Sequence, residues 1–467
     1  MSRRNNLGLQ LVVLSCLLAA PSVARAGGFT IPLVGTRMAG RMAFVGYADD
    51  TSAIYHNPSG LMLTKGYRVD LSATGIYSGT TYKRYNGAYS QLGPCTRDPS
   101  RTCVTTNDTN SLADGVSPDP PFGVLPYAGF SGDFGFEKWR FGLAVLSPHN
   151  ATGAFPPNGA QQYQTIKGTV FTVFVLPTVA WQPTKWLAIG AQIGPAFARI
   201  AYKRTQSLLV QDAEVDLSAF AASFAWGVGV TVGPFAGLRI GISYSSATFF
   251  GFDGTVTLRN LPAGAIKDDP NATSLTRDGT ADFEFPRILR FGLNYRFSDR
   301  FDIGADMYWQ NYAVYKSIKI SLAQEATISV LGRDVAFKDL EEPKDSKNVI
   351  ALAFGGRFSP IKSLDLRAGF IYDQSPYPDD TYSILNPDHD KAGYSVGASY
   401  RFGFGLEISM AFIHLIYFDR VITETQICQR VPNIAGAGEV CASNTQAGGE
   451  VKGKNVLLLG LQASWLF

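Results

Sequence analysis

The chain has 467 residues, a formal net charge of +3, 17% charged residues, 12% aromatics and 48 glycines. So slight a charge excludes the basic surface of a nucleic-acid-binding protein and gives no reason to expect an acidic partner. Charged residues fall below the roughly 25% of ordinary soluble domains, yet mean hydropathy is only +0.03. The apolar residues are therefore spread along the chain and not gathered into long helical segments.

At the amino terminus, Arg3 and Arg4 precede an apolar run from Leu7 to Ala20, and Ala24-Arg25-Ala26 supplies the small residues of a signal-peptidase site. The run is too short for a permanent transmembrane helix, so residues 1–26 are expected to be a cleaved secretory signal. A lipoprotein site at Cys16 is disfavoured, because Leu14 fits that pattern poorly. Residues 27–66 are rich in Gly and Ala and show no strand pattern. Phe29, Ile31, Leu33, Met38, Met42 and Phe44 would be wasted in water, so this segment is expected to plug a lumen as a hatch.

From residue 67 to the end the pattern is that of strands. Alternating segments fall at 67–80, 121–134, 138–149, 168–182, 186–203, 221–233, 238–250, 281–297, 301–319, 346–358, 363–376, 392–402, 404–418 and 454–467. Their connections alternate in length. Long ones cover 81–120, 150–167, 204–220, 251–280, 320–345, 377–391 and 419–453; the others are tight turns such as Pro183–Lys185 and Ser298–Arg300. That asymmetry is expected of an up-and-down outer-membrane barrel. Within strands, Leu289, Phe291, Leu293, Tyr295 and Phe297 oppose Arg290, Gly292, Asn294 and Arg296; Leu364, Leu366, Ala368 and Phe370 oppose Asp365, Arg367 and Gly369. Charges facing lipid would cost several kcal/mol near the bilayer midplane, so the apolar face points to lipid and the charged face to the lumen. The uncharged stretch 217–238 contains four glycines and Pro234, and reads as a strand running into a turn, not as a helix. The last strand alternates Leu457, Leu459, Leu461, Ala463, Trp465 and Phe467 against small or polar residues, and ends on the aromatic carboxy-terminus typical of closing barrel strands.

Four cysteines remain beyond the signal. The simplest expectation in an oxidising compartment is two local disulfides, Cys95–Cys103 and Cys428–Cys441, each stapling one loop. Zinc is disfavoured by those spacings without nearby His. His56, His149, His389 and His414 are dispersed; Ser147 with His149, and Asp388-His389-Asp390, are the nearest approaches to a catalytic pair, and their Pro-rich context reads as loop structure. No metal, cofactor or enzymatic activity is expected.

One segment is more specific. Gly28-Phe29, Gly40 and Ala48-Asp49-Asp50-Thr51-Ser52-Ala53-Ile54-Tyr55-His56-Asn57-Pro58-Ser59-Gly60-Leu61 resemble the amino-terminal signature of FadL/TodX-type transporters, with Asn-Pro-Ser in place of the usual Asn-Pro-Ala. Phe285 to Gly292 with Asp302 to Tyr312, and Tyr372 to Pro378 with Asn386 to Asp390, extend the resemblance over nearly the whole mature chain. It implies a fourteen-stranded all-β antiparallel transmembrane barrel (67–467) with an N-terminal hatch, passing long-chain fatty acids or aromatic hydrocarbons through an apolar lumen pocket. A lateral exit near the third strand, at 138–149 with Pro148, is also implied. The expected partners are the hydrophobic ligand, outer-membrane lipid and lipopolysaccharide, and the barrel-assembly machinery through Phe467, with the barrel a monomer. A carboxylate head group would want a lumen cation. Arg290 and Arg367 are the candidates, with Phe29, Asn57 and Pro58 as further ligand contacts. The alternative is that both arginines pair with Asp302, Asp306 or Asp365 and hold the barrel. A general porin or a loop-mediated receptor are the rival functions.

Overall fold

The computed structural model describes residues 25–467 apart from 31–32, 87–91, 107, 120–121, 209–210, 268, 331–332, 386, 433–438 and 454. The expected signal segment therefore lies, up to residue 24, outside the described residues. Among the described residues, fourteen wall strands form one closed antiparallel barrel. They are β1 (Arg68–Ser78), β2 (Phe122–Gly132), β3 (Trp139–Leu146, resumed at His149–Ala154), β4 (Lys167–Thr184), β5 (Leu187–Ser207) and β6 (Asp212–Phe235). Next come β7 (Leu238–Ser245, resumed at Thr248–Arg259), β8 (Ser274–Phe285, resumed at Ile288–Ser298), β9 (Phe301–Gln310, resumed at Ser317–Val330) and β10 (Arg333–Pro343, resumed at Val349–Ile361). The short wall is β11 (Leu364–Asp373), β12 (Lys391–Arg401), β13 (Leu406–Tyr417) and β14 (Asn455–Leu466). Closure is by β1 against β14, in register from Arg68↔Leu466 to Ser78↔Val456. Alternate neighbouring pairs are joined by tight turns on one side, and closure of the wall pairs its first strand with its last.

The faces follow the alternation. Phe224, Trp226, Ile242, Leu289, Phe354 and Leu459 are exposed outward, while Arg290, Asp302, Asp306, Arg367 and Glu407 are buried inside. Trp139 stacks on Trp181 at 5.6 Å in the girdle at the short-turn side. The stretch 217–238 is strand up to Phe235, within the 24 residues of β6, and then turns into β7 at Leu238.

Three of the expected long loops are not loops. Residues 204–220, 251–280 and 320–345 are mostly strand: β5 and β6 pair without interruption to Ser207↔Asp212, the resumed halves of β7 and β8 pair to Arg259↔Ser274, and those of β9 and β10, with a register shift between Ser321 and Ala326, pair to Val330↔Arg333. In these extensions the alternation is inverted. Val215, Leu217, Val256, Leu258, Ile320 and Leu322 face inward and are buried, while Asp253, Thr255 and Asp278 face solvent. Above the membrane, water lies outside the wall, so the apolar side of a strand must turn inward.

Over the short side of the barrel, the first and last long loops fold together. Thr81–Arg84 pairs with Gly449–Lys452, and Gln429 ties this cap to the tall wall by donating to Thr205 O at 2.6 Å and Tyr163 O at 2.9 Å. Both local disulfides form, Cys95–Cys103 and Cys428–Cys441, with Cα separations of 4.9 and 5.7 Å.

Candidate functional site

Residues 33–66 fill the lumen on the short-turn side. Two short helices, Thr36–Arg41 and Ala53–His56, are buried on every side, and Leu33, Met38, Met42 and Phe44 lie in the core. The wall makes room for them with glycines. A β-carbon on Gly292 would lie 2.6 Å from the Gly46 nitrogen, and one on Gly397 would lie 3.0 Å from the Gly40 Cα. Lumen-facing Gly190 and Gly229 receive Pro58 and Asn57 in the same way.

Polar contacts then fix the segment to the wall. Arg41 meets Asp302 at 2.5 Å, and Arg37 meets Glu407 at 2.7 Å. Asp306 accepts hydrogen bonds from the backbone nitrogens of Phe44 and Val45. Asp70 accepts from the nitrogen and hydroxyl of Thr51 at 3.0 and 2.6 Å. Removing one partner from such buried pairs costs about 3–5 kcal/mol, because the other charge is stranded.

The expected ligand residues separate into different roles. Asn57 donates to Val45 O at 3.0 Å and to Thr231 Oγ1 at 3.1 Å, which makes it a brace between hatch and β6, with Pro58 seated beside it. Phe29 lies on the strand Arg25–Thr30, and its side chain is outside the described residues. Arg367 is held by Asp365 at 3.2 Å and Ser399 at 2.6 Å. Arg290 differs. It is 1% exposed, donates to Ser245 Oγ at 2.7 Å and stands over the ring of Tyr55. Among the described residues, no carboxylate lies within ion-pair distance of it.

Outward of Arg290 the interior is aromatic. Phe285 contacts Phe250 at 5.7 Å, Phe283 at 4.7 Å and His149 at 4.4 Å between ring centres. Phe283 continues the series to Tyr315 at 4.7 Å. This layer was not anticipated, because Phe285 reaches the lumen only after the strand break at Pro286 resets the alternation. Beyond it lie the inverted apolar faces of the extensions, so apolar surface is continuous from the tall wall to Arg290.

His149 marks a discontinuity in the wall. β3 breaks at Ser147-Pro148, where proline supplies no ladder donor. Its first half pairs with Tyr127–Gly132 of β2, while its second half pairs with β4 and with Arg25–Thr30. Among the described residues, Phe122–Pro126 of β2 has no ladder partner on that side. Asp388 and His389, the other loop pair singled out above, are buried in the extracellular cap: His389 Nδ1 donates to Phe418 O at 2.6 Å and Nε2 faces the Tyr382 hydroxyl at 3.0 Å.

Comparisons agree with this architecture. The family described as "Outer membrane protein transport protein (OMPP1/FadL/TodX)" matches residues 17–467. Outer membrane protein P1 of Haemophilus influenzae is 22% identical over 455 residues, covering 89% of this chain and 92% of that protein. The long-chain fatty acid transport protein of Escherichia coli O6:H1 is 23% identical over 199 residues, 41% of this chain and 42% of its own length. The 47 kDa outer membrane protein of Pasteurella multocida is 26% identical over 196 residues, and the chain spans 43% of that relative. Among solved structures, a Pseudomonas aeruginosa FadL homologue superimposes with a TM-score of 0.73 at 18% identity, covering 94% of this chain and 99% of that one. The Pseudomonas putida toluene transporter TodX gives 0.64 at 15%, covering 95% and 100%. With its hatch-filled fourteen-stranded wall and a family match over nearly its whole length, the chain belongs to the OMPP1/FadL/TodX family of Gram-negative outer-membrane transport proteins.

Proposed function

We propose that the protein passively conducts hydrophobic molecules bearing a carboxylate, long-chain fatty acids foremost, across the outer membrane. The observation that carries this reading is Arg290: a buried cation that, among the described residues, meets the Ser245 hydroxyl and the Tyr55 ring and no carboxylate within ion-pair distance, at the inner end of a continuous apolar interior. A buried charge without a counter-ion costs several kcal/mol, and an incoming carboxylate would relieve that cost. Each methylene it brings into the apolar layer adds about 0.8 kcal/mol. Cargo entering from the tall wall would stop at Arg290, because the hatch closes the lumen beyond. Passage then needs hatch movement or sideways exit at the unpartnered stretch of β2 beside the break in β3.

Titration of the purified barrel with a fluorescent long-chain fatty acid tests this. Displacement by oleate that weakens in Arg290→Ala supports it, and saturable binding indifferent to Arg290 refutes the head-group role. A second reading, small aromatic hydrocarbons, is favoured by the Phe250, Phe283 and Phe285 layer. Displacement by toluene but not by oleate would select it. A general porin is disfavoured by the hatch that fills the lumen.

A further inference from the structure

Two tyrosines flank Arg290, one on the wall and one on the hatch, and their hydroxyls differ in occupation. Tyr308 stands directly across from Arg290 in the β8–β9 register. Its hydroxyl is spent, donating to Asp306 Oδ2 at 3.0 Å. Tyr55 belongs to the hatch helix Ala53–His56, and its ring centre lies 4.7 Å from the Arg290 guanidinium carbon. It is 5% exposed, and its buried hydroxyl finds no acceptor among the described residues.

A hydroxyl that has lost water and gained no acceptor destabilises the site that holds it. A buried guanidinium without a counter-ion does the same. Here both deficits fall side by side, and both are of one kind: a donor with nothing to donate to. An ionised carboxylate removes the two together, because its two oxygens accept from several donors and its charge meets the cation. A methyl ester brings no charge, and a hydrocarbon brings no acceptor at all.

We propose that the Tyr55 hydroxyl is a second donor to the cargo head group, so that the carboxylate bridges Arg290 on the wall and Tyr55 on the hatch. This rests on the carboxylate reading above and adds to it a residue that discriminates acids from their neutral analogues. The head group exchanges the ring's hold on Arg290 for hydrogen bonds from both side chains. Tyr55 is also two residues from Asn57, the brace to Thr231 of β6. Occupation by an acid is therefore registered on the short segment that fastens the hatch to the wall.

The test compares retention of radiolabelled oleate and of radiolabelled methyl oleate on the purified full-length barrel in one detergent. The variants are Tyr55→Phe, which removes the oxygen and keeps the ring, and Arg290→Gln; heat-modifiable migration confirms that each is folded. Tyr55→Phe should weaken oleate about ten-fold, the worth of a hydrogen bond to a charged group, and change methyl oleate by less than about two-fold. Equal losses for acid and ester would mean altered packing and would overturn the proposal. So would unchanged oleate binding in Tyr55→Phe while Arg290→Gln weakens it, an outcome that leaves the carboxylate reading standing. Oleate binding indifferent to Arg290→Gln would instead overturn that reading, and the role of Tyr55 with it.

Discussion

The Arg290 guanidinium carbon lies 4.7 Å from the centre of the Tyr55 ring, so a wall cation rests on a hatch aromatic. On the proposed reading, that contact joins the place where an acid would be held to the hatch that closes the lumen beyond it. Binding and opening are linked to the extent that a carboxylate competes with Tyr55 for the same cation.

Arg290→Ala should therefore weaken oleate binding by about ten- to a hundred-fold, the worth of a charge-assisted hydrogen bond in a dry site. Toluene binding should change little. Competition titrations with both ligands check this in one preparation.

Gly292→Val should unseat the hatch while leaving the wall intact, because the new side chain would collide with the backbone at Gly46. Overpacking of this kind costs roughly 1–3 kcal/mol. The expected outcome is a raised ion conductance in planar bilayers with unchanged heat-modifiable migration of the barrel.

Replacing Cys428 and Cys441 together by serine should loosen the cap locally. Closing a loop of this length is worth about 3 kcal/mol in chain entropy. Trypsin cleavage after the exposed Arg430, which the bridge encloses, should become faster in the double variant, with the barrel itself resistant.

The cap also has a defined response to acid. Burial first, then the nearby positive charges of Arg420 and Lys391, lowers the His389 imidazolium from 6.5 to about 4, against the Phe418 carbonyl and Asp419, which favour the proton. Burial raises Asp388 from 3.8 to about 6, with Lys391 opposing. An open cap takes up the histidine proton at higher pH than a closed one, so between 6.5 and 4 acid favours opening. Asp388 works the other way, since the closed cap accepts its proton first and acid below about 6 favours closure. His389→Asn leaves only the second effect. Amide-exchange protection of residues 379–391 should then rise as pH falls from 6 to 4, whereas the unmodified chain should stay nearly flat.

Much of the barrel was legible because lipid enforces a strict rule: Leu289, Phe291 and Leu293 must face out, so Arg290 and Asn294 must face in. The same rule hid the extensions. Above the membrane Asp216, Thr255 and Thr257 face out while Leu217, Val256 and Leu258 face in, so the reversed polarity reads as loop to anyone following the lipid-facing side. Arg296 was legible as a lumen residue, but the convergence of arginines on the hatch residue Tyr47 was not, for another reason. Arg239, Arg296 and Arg357 belong to three different strands, and only the register of β7, β8 and β10 brings them to one height. Arg367 was legible as a lumen cation and as a candidate partner of Asp365, and the structure forms that pair, whereas Arg290, for which the same pairing was open, stands on Ser245 and Tyr55.

The inverted hairpins give this protein a height that its membrane does not require. The 24 residues of β6, at ~3.3 Å each and tilted ~40°, rise about 60 Å, against an apolar band about 25 Å tall. Roughly half of the tall side of the wall therefore stands beyond the apolar band, greasy within and wetted without, while the short strands β1 and β11 to β14 end near its edge. The apolar lining thus begins well outside the bilayer, in a region where the outer surface of the same strands is wet.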